Sequence, residues 1–217
     1  MVLKEKQLNE EKADKIKHYS ILNQYVKKGE ILFTGSSLME QFPIYEFMQD
    51  YDIRETIYNR GASGFTSSEM ILALDTLIFE LEPRKIFINI GTNDLSAVDY
   101  TLEELTGRYE YILNEIKEHL PKTKIYVMAY YPCNCEHDFG NEEAREWIKQ
   151  RSNEKVAEAN EALKAMAERY QVKYIDISRN LYDRDKNLKS EYSVEGVHMY
   201  ANGYRAILDE LMEYVRE

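Results

Sequence analysis

Short, almost uninterrupted apolar runs alternate along this chain with longer stretches of helical period. Ile31-Leu32-Phe33, Ile86-Phe87-Ile88 and Ile125-Tyr126-Val127-Met128 are apolar at every position, the pattern of parallel strands covered on both faces. With their flanks they predict strands over 30–34, 85–90 and 124–130, and two weaker runs add 55–58 and 173–176. Between them, apolar residues recurring every three or four positions predict helices over 4–27, about 38–49, 67–81, 102–120, 141–170 and 202–216. Thr66 and Ser67 ahead of Glu69, and Thr101 ahead of Glu104, supply capping signals. Pro121 bounds the fourth helix, and Pro43 falls early in the second, where a missing amide costs little. Strands alternating with helices imply right-handed crossovers. The fold class expected is therefore α/β: a three-layer α/β/α domain around a five-stranded parallel sheet.

A length of 217 residues, 44% of them apolar, is what one core of ordinary size accommodates. No repeat, low-complexity tract or Pro/Gly/Ser linker divides the chain, so a single domain over 1–217 is expected, with the helix within 1–29 packed on it. That helix carries Leu8, Ile16, Tyr19, Ile21, Leu22 and Tyr25 on a broad apolar stripe. The stripe is predicted to dock on the domain; a homodimer contact is the other use for it.

Charge narrows the partners. With 28 Lys and Arg against 39 Asp and Glu, the formal charge is −11 and no dense basic stripe offsets it. A polyanion would be repelled over much of such a surface, so neither nucleic acid nor an anionic membrane is an expected partner. The first residues, MVLKEKQLNEEKADKIK, lack the apolar core of a signal peptide, and no apolar run approaches a membrane span. A soluble, cytoplasmic protein is expected. Cys133 and Cys135 lie too close together to staple distant parts of a fold.

In open parallel sheets, sites form beyond the carboxyl ends of the strands, and four polar segments fall there. Thr34-Gly35-Ser36-Ser37 leads from the first strand into a helix; an exposed serine there has its own amide near the helix start, although both serines could simply cap the helix. Asn59-Arg60-Gly61-Ala62-Ser63-Gly64 follows the second strand, with glycines suited to close backbone approach or to an ordinary tight turn. Gly91-Thr92-Asn93-Asp94 follows the third, where Asn93 can donate to an oxyanion or start an Asx turn. Glu195-Gly196-Val197-His198 precedes the last helix; a carboxylate three residues before a histidine can hold one ring nitrogen and leave the other free as a base, although a lone histidine near a chain end is more often structural. Taken singly, each segment has a plain structural explanation. Their order, with a nucleophile, two donors and a base arriving in turn, is harder to explain that way.

In these four segments the sequence resembles the SGNH hydrolase superfamily, also called GDSL-type lipases and esterases, from Ile31 to about Tyr204. The resemblance implies a flavodoxin-like SGNH hydrolase fold and a serine carboxylester hydrolase that needs no cofactor and no metal. It implies Ser37 as nucleophile, His198 as base and Glu195 as the acid. It also implies an oxyanion hole from the amides of Ser37 and Gly64 and the side chain of Asn93. Two residues depart from the family pattern: Ser36 stands where Asp is usual, and Glu195 where the acid is normally Asp.

Ser36, Tyr131, Tyr192 and Tyr200 flank these blocks and are expected to line the substrate pocket. The expected substrate is a small-molecule acyl ester with a short, acetyl-sized acyl group, on a carbohydrate or another small alcohol. A lysophospholipase or platelet-activating-factor-acetylhydrolase-like lipid esterase is one alternative. A catalytically silent ligand-binding relative is another, prompted by Ser36 and Glu195. Gly35-Ser36-Ser37 matches no nucleotide-binding fingerprint. Cys133, Cys135 and His137 have spacing unlike a standard zinc site and are expected to form a loop at the pocket's border.

Overall fold

A computed structural model describes residues 8–51 and 53–217. Five parallel strands, β1 (Ile31–Gly35), β2 (Ile57–Gly61), β3 (Lys85–Asn89), β4 (Lys124–Met128) and β5 (Lys173–Ile175), form one sheet in the order β2-β1-β3-β4-β5. The helices are α1 (Glu10–Asn23), α2 (Ser37–Glu40), α3 (Ile44–Asp50), α4 (Ser67–Ile71), α5 (Leu74–Leu77), α6 (Leu102–His119), α7 (Glu142–Lys149), α8 (Asn153–Tyr170) and α9 (Ala201–Arg216).

Strand periodicity divides the apolar runs between two cores. Ile31, Phe33, Phe87, Tyr126 and Met128 face α2, α3 and α9. Leu32, Ile86, Ile88, Ile125 and Val127 face the opposite layer, built from α4, α5, α6 and α8. Both sets are almost wholly buried, which is why the runs carry no polar alternation. The result is the expected three-layer α/β/α fold on a five-stranded parallel sheet. Thr66 and Glu69 close a reciprocal capping box on α4, and Thr101 accepts from the Glu104 amide to cap α6.

Three predicted helices are interrupted. The one expected over 38–49 divides into α2 and α3, and Pro43, without an amide of its own, begins the second piece. The one over 67–81 becomes α4, α5 and a 3₁₀ turn, Phe79–Leu81. The one over 141–170 divides into α7 and α8, because Ser152 leaves the helical region and caps α8 through the Lys155 amide. Of the helix expected over 4–27, α1 accounts for Glu10–Asn23, and residues 4–7 lie outside the described residues. Its apolar stripe also divides: Leu8, Ile16 and Tyr19 pack on the domain, whereas Ile21, Leu22 and Tyr25 are exposed. Among the described residues, no helix is long and apolar enough to cross a membrane.

The parallel register sets Gly35, Gly61 and Asn89 side by side at the carboxyl ends of β1, β2 and β3. The chain leaves β1 toward β2 on one side and continues from β3 on the other, so a crevice opens at this switch of strand order. The segments after β1, β2 and β3 all empty into it.

Candidate active site

The first of those segments turns sharply. Gly35 has φ +151°, and a Cβ on it would stand 2.0 Å from the Asn89 carbonyl oxygen, so only glycine lets β1 run against β3 there. Ser36, the residue before α2, makes no side-chain cap bond, which removes the simple capping explanation for it. Ser37, the first residue of α2, directs its hydroxyl away from its own helix. Its Oγ lies 2.8 Å from Nε2 of His198, 161 positions further along the chain. As α2 is a single turn, its macrodipole is slight, and what the turn offers is the Ser37 amide itself.

His198 is held by its own loop. Val194 donates its amide to the His198 carbonyl at 2.8 Å, and Ser193 pairs with Met199 in an antiparallel bridge. Inside that loop, Glu195 Oε1 lies 2.6 Å from His198 Nδ1 and accepts the His198 amide at 3.2 Å. The longer glutamate arm therefore reaches the imidazole. Tyr204 of α9 donates its hydroxyl to the Leu38 carbonyl at 3.0 Å, tying the helix after His198 to the one that carries Ser37.

The segment after β2 offers a free donor. Gly61 donates its amide to Asn59 Oδ1 (2.8 Å), Ala62 to the Gly35 carbonyl (2.9 Å) and Ser63 to Glu40 Oε2 (2.6 Å). Phe65 donates to the Ala62 carbonyl (3.2 Å), Thr66 to Glu69 Oε2 (2.9 Å) and Ser67 to Asp94 Oδ2 (2.8 Å). Only the amide of Gly64, at φ +72°, lacks an acceptor among the described residues. A segment so completely bonded, with one donor left over, suits an incoming acceptor.

The third segment adds Asn93, whose Nδ2 donates to the Phe65 carbonyl at 2.9 Å and keeps a second hydrogen. Buried Asp94 holds this segment to the second one, accepting from the Ser67 amide and hydroxyl and pairing with Arg108 at 3.2 Å.

The predicted pocket residues divide. Ser36 is buried beside Ser37. Tyr192 is half-buried against the α9 layer, and Tyr200, just before α9, is 54% exposed. Tyr131 is packed within the core, its hydroxyl buried without a partner among the described residues, so its ring forms core rather than an open pocket wall. Cys133 is buried against Asn153, with its thiol pushed up to about 11 by burial, and Cys135 lies beside Glu136. Among the described residues, no group of three or more His, Cys, Asp or Glu side chains converges as metal ligands would.

Three residues that touch these segments were not predicted to do so from sequence, where Tyr19 was read only as part of an apolar stripe. Lys12 of α1 donates to the Gly64 carbonyl (2.8 Å) and to both Glu69 carboxylate oxygens (2.7 Å). Tyr19, two turns on, donates to the Gly61 carbonyl at 2.5 Å. Arg151, between α7 and α8, reaches Asn93. Lys12 and Tyr19 lie seven positions apart, hence on one helix face, which is the only sequence signal for their joint action.

Known proteins share this arrangement of elements. The model of the GDSL-like Lipase/Acylhydrolase family matches residues 45–206, a stretch that includes Gly64, Asn93 and His198 and begins after Ser37. A solved structure from Streptococcus pneumonia, described as a platelet activating factor, is 30% identical and superposes with a TM-score of 0.83 over 94% of this chain and 92% of its own. Subunit alpha2 of platelet-activating factor acetylhydrolase IB from Rattus norvegicus is 24% identical over 193 residues, 88% of this chain and 78% of the relative. N-acylneuraminate cytidylyltransferase from Escherichia coli is 24% identical over 197 residues. This chain covers 42% of that protein's length.

Proposed function

The chain belongs to the GDSL-like lipase/acylhydrolase family and is a carboxylic ester hydrolase, and from that premise we propose that Ser37 is its nucleophile, His198 its base and Glu195 the acid that orients the imidazole. The observation that carries this is the unbroken relay: Glu195 Oε1 at 2.6 Å from Nδ1, and Nε2 at 2.8 Å from Ser37 Oγ.

The relay gives the sequence of events. Nε2 accepts the Ser37 proton as Oγ attacks the ester carbonyl carbon. Negative charge moves onto the carbonyl oxygen, which the amides of Ser37 and Gly64 and the second Nδ2 hydrogen of Asn93 receive. Removing one such donor lowers turnover roughly 100–1,000-fold. The imidazolium, held by Glu195, then protonates the departing alcohol. In the second half, Nε2 takes a proton from water as its oxygen attacks the acyl-enzyme, and returns that proton to Ser37.

For the substrate we propose a short acyl group, acetyl in size, on a small-molecule alcohol. The support is a recessed nucleophile, 8% exposed, together with the acetylhydrolase named among the relatives. The same relative favours a second reading of the alcohol, an acetylated glycerophospholipid in place of a carbohydrate or small metabolite. A catalytically silent protein is disfavoured, because the Glu195 carboxylate reaches His198 despite replacing the usual Asp.

Hydrolysis of p-nitrophenyl esters of increasing acyl length tests both levels. Acetate is expected to be the preferred ester and Ser37→Ala to abolish turnover, with Ser36→Ala retaining most of it. Activity that survives Ser37→Ala and disappears in Ser36→Ala overturns the nucleophile assignment. Preference for acyl chains longer than about six carbons would overturn the short-acyl reading.

A further inference from the structure

Arg151 is 1% exposed, and among the described residues no carboxylate forms an ion pair with it. A guanidinium removed from water without a counter-ion is heavily penalised, and burial depresses its pKa to about 10, against the opposing effects of Cys133 and Glu195. It remains a cation at neutral pH. Its Nε donates to Ser96 Oγ at 3.1 Å, and its carbon centre lies 4.5 Å from the centre of the Trp147 ring. Its Nη2 points to Asn93 Oδ1 at 3.4 Å.

That last contact bears on the chemistry. The Asn93 carboxamide is bracketed, with Oδ1 facing the guanidinium and one Nδ2 hydrogen committed to the Phe65 carbonyl. Turning the amide over would set its NH₂ against a donor and its oxygen against a carbonyl. One orientation survives, and it leaves one hydrogen uncommitted. A cation behind Oδ1 also polarises the amide, so the free N–H becomes a stronger donor as negative charge develops before it.

We propose that Arg151 is a positioning residue for ester hydrolysis: it locks and polarises Asn93, and its unpaired charge is met when the oxyanion forms. This rests on the reading of Asn93 as an oxyanion donor. A merely structural Arg151 would tie the junction of α7 and α8 to the segment after β3 through Ser96, with no dependence on what Asn93 does.

A double-mutant cycle separates the two. Turnover of p-nitrophenyl acetate is measured for Arg151→Met, Arg151→Lys and Asn93→Ala, and for each Arg151 variant combined with Asn93→Ala, after circular dichroism has established folding. Arg151→Met is expected to lower kcat roughly 10–100-fold with KM within about threefold, and Arg151→Lys, which keeps the charge without the planar fork, to lose less. In the Asn93→Ala background, Arg151→Met is expected to change kcat less than about twofold, because the group it acts through is gone. The same fold-loss in both backgrounds, or a loss confined to KM, overturns the proposal. If Arg151→Met does not fold, Arg151→Lys is judged in the cycle by the same criterion. Undiminished kcat in Asn93→Ala would instead remove the oxyanion-donor reading itself, a failure distinct from additivity.

Discussion

Glu195 shows how much a single residue leaves open until the fold is known. An acid three positions before a histidine was visible in the sequence, but whether the longer arm would meet the ring depended on loop geometry. The loop closes through Val194 and Ser193 so that one carboxylate oxygen serves both the His198 amide and Nδ1. Glu195→Gln keeps the shape and removes the charge that favours the imidazolium. It is expected to lower kcat roughly 10³–10⁴-fold while the unfolding midpoint hardly moves; a rate within a few-fold of wild type would mean that the ring is oriented by something else. Ser36 and Ser37 were equivalent as capping residues on paper. The absence of a cap bond at Ser36 and the 2.8 Å approach of His198 to Ser37 distinguish them. Arg151 was not legible at all, since nothing local marks a surface-type residue as one that tertiary packing will bury beside Asn93.

At the scale of elements, α1 does more than cover the domain. Through Lys12 and Tyr19 it holds the Gly64 and Gly61 carbonyls, and Lys15 pairs with Glu40, the acceptor of the Ser63 amide. Lys12→Met is therefore expected to cost about 1–3 kcal/mol of stability and to lower kcat more than it changes KM, measured by chemical denaturation and steady-state assay. Stability should also depend on acid. Burial alone would raise the pKa of Glu69 and Glu40; hydrogen bonds from Lys12 and Thr66 to Glu69, and from Lys15 and Ser63 to Glu40, outweigh it and hold both below the usual 4.5. Carboxylates depressed in the folded state stabilise it fully above the unfolded value and cease to do so as pH falls through the lower folded values. The thermal midpoint is expected to fall as pH drops below about 4.5, and less steeply in Lys12→Met, where the part of the Glu69 shift that Lys12 supplies is lost; equal slopes would count against the Lys12–Glu69 pair as its source. The strands and most helix limits were legible from periodicity. The breaks at Pro43 and near Ala73 were not, because the pieces on either side keep apolar residues on a face that the same core covers; the break at Ser152 was not either, although there Ile148 of α7 packs with Cys133 and Val197, apart from the core that covers α8.

At the scale of the whole molecule, the two ends of the sheet do different work. The carboxyl ends of the strands carry the candidate site. At the amino ends, buried Lys85 opens β3 and donates to the Tyr214 and Val215 carbonyls in the last turn of α9, a favourable place for a cation. Lys85→Met is expected to lower stability by about 1–3 kcal/mol, as unpaired buried carbonyls do, and to leave kcat/KM within about twofold, since it lies at the opposite end from Ser37. A matching loss of catalytic efficiency in the folded variant would show that the two ends are coupled. Local chemistry was enough to determine the parallel sheet, its two-sided burial and the four polar segments, because strand and helix periods and the turn residues are properties of neighbouring positions. The strand order, the meeting of Ser37 with His198, the Gly64 amide left without an acceptor among the described residues and the burial of Arg151 were decided only in three dimensions, because each depends on which distant atoms complete or leave open a group's hydrogen bonds.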